Sequence, residues 1–177
     1  KAKTIKLRTN AENVTIIQKD LNAMSDEKEY DLIYSCDVLE HIPDDLGIIH
    51  NFNKALKPNG TLILHLPLRY ELSRRIFPWF KKYTTEDHVR DEYLPNEIKH
   101  KLEASGFIVN FIEYGYGLVK GELAFELNNL INTSKLSLVL SQLLTFPLSL
   151  ILGYWDITNP PRTGNSLVIK ATLRGIE

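Results

Sequence analysis

Short apolar runs rich in β-branched residues recur along this chain, and segments with a helical spacing of apolar residues lie between them. Charged or turn-forming residues bound most of the runs, as is typical of buried strands. Strands that alternate with helices predict an α/β fold with a mostly parallel sheet. The predicted strands are Val14–Gln18, Tyr30–Cys36, Thr61–Leu66, Phe107–Tyr114 and Asn165–Leu173.

Two helices are predicted between these strands. The first begins at Pro43, because proline suits the first helical turn, and it ends at the turn sequence KPNG at 57–60. Asn96 is expected to cap the second helix, and Gly106 is expected to occupy the position that follows its last turn.

The composition limits the classes of protein to consider. A length of 177 residues is enough for one domain with a sizeable core. The formal net charge is -1, so no basic surface is implied and no nucleic acid is expected as a partner. The single cysteine, Cys36, excludes an internal disulfide, which suits the cytoplasm. The first residues, KAKTIKLRTNAENV, hold no apolar run and no initiator methionine, so we expect no secretory signal and an incomplete N-terminus.

One segment, 136–155, contains no charged residue and is long enough to span a bilayer. Pro147 and several serines interrupt it, and predicted strands flank it on both sides, which argues against a span. Two short helices broken at Pro147 and packed on the domain are one alternative. An apolar lid over a greasy substrate and a patch that contacts a membrane surface are the others.

Four segments in a fixed order carry a family resemblance: YDLIYSCDVLEHI at 30–42, ALKPNGTLILHLP at 55–67, DHVRDEYLPNEIKHKLEASGF at 87–107, and the late apolar strand. They resemble the second half of a class I methyltransferase that uses S-adenosylmethionine, in the branch of ubiquinone-biosynthesis O-methyltransferases. The resemblance implies a Rossmann-like sheet, mostly parallel with a final antiparallel strand, lacking here its first two strands. Residues 1–177 then form a single, N-terminally incomplete domain, with an apolar helical insertion at 115–164 before the last strand.

The same resemblance implies a set of cofactor-binding residues. Asp20 follows a predicted strand and would accept the adenine amino group, with the amide of Leu21 touching the ring. Ser35, Cys36 and Asp37 lie at the carboxyl end of the next strand, where α/β sheets bind ligands. They would border the methionine moiety and the sulfur of S-adenosylmethionine.

Three residues are candidates for catalysis on the acceptor side. Methyl transfer to a hydroxyl or amine needs removal of a proton, and a histidine such as His41 suits that role near neutral pH. Glu40 precedes it, and the resemblance places His88 at the acceptor pocket. The alternative is that these side chains only cap a helix or bond to nearby loops. Asp37, Glu40 and His41 also match a D-x-x-E-H pattern that holds a divalent metal in some relatives, but we predict no metal site.

These observations predict transfer of a methyl group from S-adenosylmethionine to an oxygen, nitrogen or carbon of a small, apolar, lipid-like acceptor. The alternative is a truncated, non-catalytic module that binds a ligand or associates with a membrane. A nicotinamide dehydrogenase shares the sheet type but fits the order of segments less well. A peripheral membrane contact through 136–155 and a homodimer are the further partners that we consider.

Overall fold

The computed structural model describes residues 13–68, 89–90, 93–117 and 164–175, together with single positions between 143 and 159. Two short 3₁₀ turns, Leu21–Ala23 and Leu39–His41, flank the first strand. The helices and strands are β1 (Tyr30–Cys36), α1 (Asp45–Ala55), β2 (Leu56–Pro67), α2 (Pro95–Ala104), β3 (Phe107–Gly117) and β4 (Gly164–Leu173).

The four strands form one mixed sheet in the order β1-β2-β4-β3. β1 and β2 are parallel, and β4 lies between β2 and β3 and runs antiparallel to both. The parallel pair joined through α1 and the antiparallel last strand confirm the fold class predicted from the sequence. Four of the five predicted strands are present. β2 already begins at Leu56, so KPNG at 57–60, which was predicted as a turn, lies within the strand, where its pairing with β1 is irregular.

The fifth prediction, a buried strand at Val14–Gln18, is wrong. These residues are in neither a helix nor a strand, and Val14 and Ile17 are 42% and 72% exposed. An extended segment becomes a strand by pairing its backbone groups with a neighbour. No described strand pairs with this segment, so its apolar side chains have no sheet face to join.

The hydrophobic core lies between one face of the sheet and the two helices. Leu62, Leu64 and Leu66 alternate along β2 toward this face. The other buried apolar side chains of the described sheet and helices are Ile48, Ile49, Phe52, Ala55, Leu56, Ile98, Leu102, Phe107, Leu167, Ile169 and Ala171. The opposite face of the sheet carries exposed apolar residues, among them Leu32 and Tyr34 on β1.

The helix ends follow local chemistry, with two corrections. α1 begins at Asp45 and not at Pro43, which lies before the capping residue. Asp44 caps α1 by accepting a hydrogen bond from the amide of Gly47 at 2.9 Å. α2 begins at Pro95 with Leu94 before it, so Asn96 lies inside the helix and does not cap it. The proline occupies the first turn, where its missing N–H costs nothing. Gly106 has a φ of 87°, as expected for a glycine after a helix.

The described positions between 143 and 158 are all helical, and Pro147 is one of them. Helical residues are therefore found on both sides of the proline at which we expected a break. The large apolar side chains described here are all between 58% and 71% exposed; they are Leu143, Phe146, Leu150, Ile151, Tyr154 and Trp155. Among the described residues, no helix is both long and apolar enough to cross a membrane.

Candidate active site at the carboxyl ends of β1 and β2

Two polar side chains meet where the parallel strands β1 and β2 end. Cys36 and His65 are register partners in the sheet, so their side chains project from the same face. The Sγ of Cys36 lies 3.6 Å from Nδ1 of His65. His65 was not predicted as a site residue, because only the register of the two strands places it opposite Cys36. Its one sequence signal is a polar residue within the apolar strand TLILHL.

Asp37 joins this pair through an unusual backbone conformation. Its φ is 50°, in the left-handed region that few residues other than glycine adopt. In a regular strand, consecutive side chains point to opposite faces. The turn at Asp37 instead brings its carboxylate back toward Cys36, with Oδ1 2.9 Å from Nδ1 of His65 and Oδ2 3.5 Å from the Cys36 thiol. The amide of Asp37 donates to the carbonyl of His65 at 3.1 Å, which fixes the turn.

Neighbouring residues of β1 complete the edge of this cluster. Tyr34 lies on the same face as Cys36, and the hydrogen bond to Cys36 raises the pKa of its phenol. Ser35 points to the opposite, buried face, and its Oγ has no hydrogen-bond partner among the residues that the structure describes. A buried hydroxyl of this kind at a strand end is a group that a ligand or a water would satisfy.

Glu40 and His41 follow the cluster in the chain, in the 3₁₀ turn after β1. Glu40 is buried, the His41 side chain is 40% exposed, and Oε1 of Glu40 lies 4.0 Å from Nε2 of His41. The amide of Val89 donates to the carbonyl of Glu40 at 3.1 Å, so the segment after His88 reaches this turn. His88 itself lies outside the described residues.

The residues whose ligand atoms cluster in the structure are not those of the D-x-x-E-H pattern. The ligand atoms of Cys36, Asp37 and His65 all lie within 4.8 Å of one another. Among the described residues, neither Glu40 nor His41 belongs to such a group.

Asp20 and Leu21 lie at the other 3₁₀ turn. Asp20 does not end a strand as predicted; it caps Leu21–Ala23, and its Oδ1 accepts hydrogen bonds from the amide and the side chain of Asn22, both at 3.0 Å. The carbonyl of Leu21 accepts a hydrogen bond from Asn51 of α1 at 2.9 Å. The turn is thus attached to α1, and Asp20 remains exposed at its start.

A buried charge network connects Arg90 and Tyr93 to the start of α1. Asp45 accepts hydrogen bonds from the Tyr93 hydroxyl at 2.9 Å and from Lys101 at 2.7 Å, and it also pairs with Arg90. Arg90 donates to the carbonyls of Ile42 and Pro43, each at 2.7 Å. Burial opposes ionisation of Asp45, but the hydrogen bonds and the two cations outweigh burial and lower its pKa.

A separate cleft of about 540 Å³ lies at the opposite end of the sheet. Residues at the start of β2, before β3 and at the end of β4 line it, together with three basic residues. They are Leu56, Gly106, Leu173, Lys28, Lys54 and Arg174. Ligands of open α/β sheets bind at the carboxyl ends of the parallel strands, where the predicted residues Ser35, Cys36 and Asp37 lie. We therefore regard the edge at Cys36 as the candidate active site.

Comparison with known proteins decides the family. The family model described as a methyltransferase domain matches residues 4–110, more than half of the chain. The chain belongs to this methyltransferase family. This membership confirms the class I methyltransferase predicted from the sequence and its cofactor, S-adenosylmethionine.

The methyltransferase chain also resembles individual proteins. It is 42% identical over 48 residues to a ubiquinone biosynthesis O-methyltransferase from Hydrogenovibrio crunogenus, covering 27% of this chain and 20% of that protein. It is 27% identical over 107 residues to the enzyme of the same name from Histophilus somni, covering 54% and 43%. The fold is similar to that of an S-adenosylmethionine-dependent methyltransferase from Mesorhizobium loti, with a TM-score of 0.54, 13% identity, and coverage of 96% and 74%. The chain spans less than half the length of these two ubiquinone biosynthesis relatives.

The charge of the residues at the carboxyl ends of β1 and β2 complements that of the cofactor. S-adenosylmethionine carries a positive sulfonium, and Asp37 supplies a carboxylate that is 52% exposed at the end of β1. The buried hydroxyl of Ser35 adds an unsatisfied polar group at the same strand end.

Proposed function

We propose that this domain transfers a methyl group from S-adenosylmethionine to a small, apolar acceptor at the carboxyl ends of β1 and β2. The observation that supports this most is the convergence of Cys36, Asp37 and His65 at that edge, in a chain of the methyltransferase family. The transfer would go to an oxygen, as the names of the two curated relatives suggest, or to a nitrogen or carbon.

The cofactor would lie across the two turns that follow the segments at 14–20 and 30–36. In this proposal the exposed carboxylate of Asp20 accepts the adenine amino group, and Leu21 contacts the ring through its amide. Ser35, Cys36 and Asp37 border the methionine moiety and the sulfur. His41, with the buried Glu40 beside it, faces the acceptor and takes its proton, and His88 lines the acceptor pocket.

Replacement of Asp20 by alanine tests the adenine contact. The loss of one hydrogen bond to a neutral group costs about 0.5–1.5 kcal/mol, so the dissociation constant of S-adenosylmethionine should rise by up to about tenfold in calorimetry. Asn22→Ala is the matched control, because it removes the side-chain bond to Asp20 but leaves the carboxylate in place. Equal affinities of Asp20→Ala and the wild type would show that Asp20 only caps the 3₁₀ turn and does not contact the cofactor.

An apolar helical surface between 143 and 155 supports a lipid-like acceptor. The large apolar side chains described there are all exposed; they are Leu143, Phe146, Leu150, Ile151, Tyr154 and Trp155. Tyr154 and Trp155 end the apolar stretch, and such aromatic residues favour the boundary between lipid and water. The segment 136–155 adds no charge that would oppose insertion. We propose that this apolar surface contacts a bilayer from which the acceptor is drawn.

Flotation with neutral phosphatidylcholine vesicles tests the membrane contact. The wild-type protein should float with the vesicles, and a Phe146→Glu/Trp155→Glu variant should stay in the soluble fraction, because two charges on the apolar surface oppose insertion. Thr158→Glu is the control: it adds a charge at a helical residue beyond the apolar stretch, and it should still float. No flotation of the wild type would refute the contact.

The second candidate function is a non-catalytic module that binds a ligand or a membrane. The exposed apolar side chains between 143 and 155 are the observation that favours it, because they could contact a membrane without any catalysis. The two functions differ in a measurable way: a module of this kind would float with vesicles or bind S-adenosylmethionine without forming S-adenosylhomocysteine.

A further inference from the structure

We propose that Cys36, Asp37 and His65 bind a zinc ion at the carboxyl ends of β1 and β2, with the fourth position left open. The three residues come from two strands and a left-handed turn that together aim a thiol, a carboxylate and an imidazole at one point. This group is separate from Glu40 and His41, the residues of the D-x-x-E-H pattern.

The distances between the ligand atoms match a tetrahedral zinc site. With a Zn–S bond of about 2.3 Å and a Zn–N bond of about 2.0 Å, tetrahedral geometry places sulfur and nitrogen about 3.5 Å apart. The observed separation of Cys36 Sγ and His65 Nδ1 is 3.6 Å, and that of Cys36 Sγ and Asp37 Oδ2 is 3.5 Å. Asp37 faces its two partners through different oxygens, Oδ2 toward the thiol and Oδ1 at 2.9 Å from His65 Nδ1, so the carboxylate must rotate for one oxygen to serve as the ligand.

The chemistry of the group selects zinc over the harder cations. Magnesium and calcium prefer sites made only of oxygen ligands, whereas a thiolate and an imidazole together favour zinc. Three protein ligands with an open fourth position are typical of catalytic zinc sites. A thiolate and a carboxylate also cancel the charge of the ion, so the filled site would not repel a positive sulfonium nearby.

The position of the site gives the ion a role, and this step rests on the proposed function. The open ligand position lies at the strand ends where the acceptor is proposed to bind. An oxygen or sulfur of the acceptor in that position would become more acidic, and its proton would leave to solvent or to a nearby base. The acceptor class would then be a hydroxyl or thiol compound, in preference to a carbon acceptor.

Metal titration of the purified protein tests the site without any methyl acceptor. Zinc should bind with one ion per chain, and cobalt in its place should show a charge-transfer band from sulfur in the near ultraviolet. Cys36→Ser should abolish that band, and Cys36→Ser and His65→Ala should each raise the dissociation constant of zinc more than tenfold, since even the outer partners of zinc ligands contribute about 10–100-fold. His50→Ala, an exposed histidine on α1, should bind zinc like the wild type.

Two results would overturn the proposal. One is zinc binding that Cys36→Ser leaves intact while Glu40→Gln or His41→Ala abolishes it, which would transfer the site to the D-x-x-E-H pattern. The other is the absence of zinc binding in a protein whose circular dichroism spectrum shows that it is folded. Calorimetry with S-adenosylmethionine on the wild-type protein, with and without zinc, separates these failures from a failure of the proposed function, because the proposed adenine contact at Asp20 lies outside the group of metal ligands.

Discussion

Replacing Asp45 by alanine is expected to lower the free energy of unfolding by about 3 kcal/mol. The substitution leaves Tyr93 with a buried hydroxyl and leaves Arg90 and Lys101 without their shared partner. Breaking a buried ion pair typically costs about 3–5 kcal/mol, and we expect the lower end because the two cations are about a fifth exposed. Chemical denaturation followed by circular dichroism measures the change.

Asp31→Ala is the matched control for this substitution. Asp31 also pairs with a lysine, Lys57, at 2.7 Å, but its side chain is 84% exposed. An exposed pair contributes about 0–1 kcal/mol, so the control should unfold nearly like the wild type. Equal losses in Asp45→Ala and Asp31→Ala would show that burial adds nothing to the network.

The same network predicts a dependence on pH. The pKa of Asp45 is lowered in the folded protein, so its contribution to stability is complete above the pKa of the unfolded chain, about 3.9. The contribution is lost as the pH falls through the folded value. The difference in stability between the wild type and Asp45→Asn should therefore be constant near neutral pH and shrink below about pH 4.

Most of the fold was predictable because its signals are local. The runs Tyr30–Cys36 and Thr61–Leu66 carry strand residues between turn or charged residues, and both are strands in the structure. The glycine at 106 has the positive φ that its place after a helix predicts. These features depend on neighbours in the sequence, and no long-range contact overrides them.

The errors arose where the outcome depends on contacts distant in sequence. Val14–Gln18 has strand composition, but a strand also needs a partner, and no described strand pairs with it. His65 reaches the site only because the register pairs it with Cys36, and a register cannot be read from one strand. The convergence of Asp37 on the same point depends on its left-handed backbone, which composition does not indicate for an aspartate after a strand.

Replacing His41 by alanine is expected to lower the turnover of methyl transfer by about 10²–10⁴-fold. The imidazole is partly exposed in the turn after β1, and the carboxylate of Glu40 lies 4.0 Å from it. That buried carboxylate would stabilise the positive charge that His41 gains when it takes a proton from the acceptor. The affinity for S-adenosylmethionine should change little, because the proposed cofactor contacts are at Asp20 and at the end of β1.

His100→Ala is the matched control for His41→Ala. His100 is an exposed histidine on α2, outside the candidate site, and its replacement should leave turnover unchanged. A lower melting temperature of His41→Ala with normal turnover would assign His41 a structural role.

We propose that methyl transfer takes place at the carboxyl ends of β1 and β2, beside His41. The most direct measurement is the rate at which the wild type and His41→Ala form S-adenosylhomocysteine with an apolar phenol or quinol, with cofactor affinity measured on the same samples by calorimetry. We predict that the wild type turns over, and that His41→Ala binds the cofactor normally but turns over at least about a hundredfold more slowly. Equal rates in the two proteins would show that His41 is not the base, and cofactor binding with no product from the wild type would show that the domain does not transfer the methyl group.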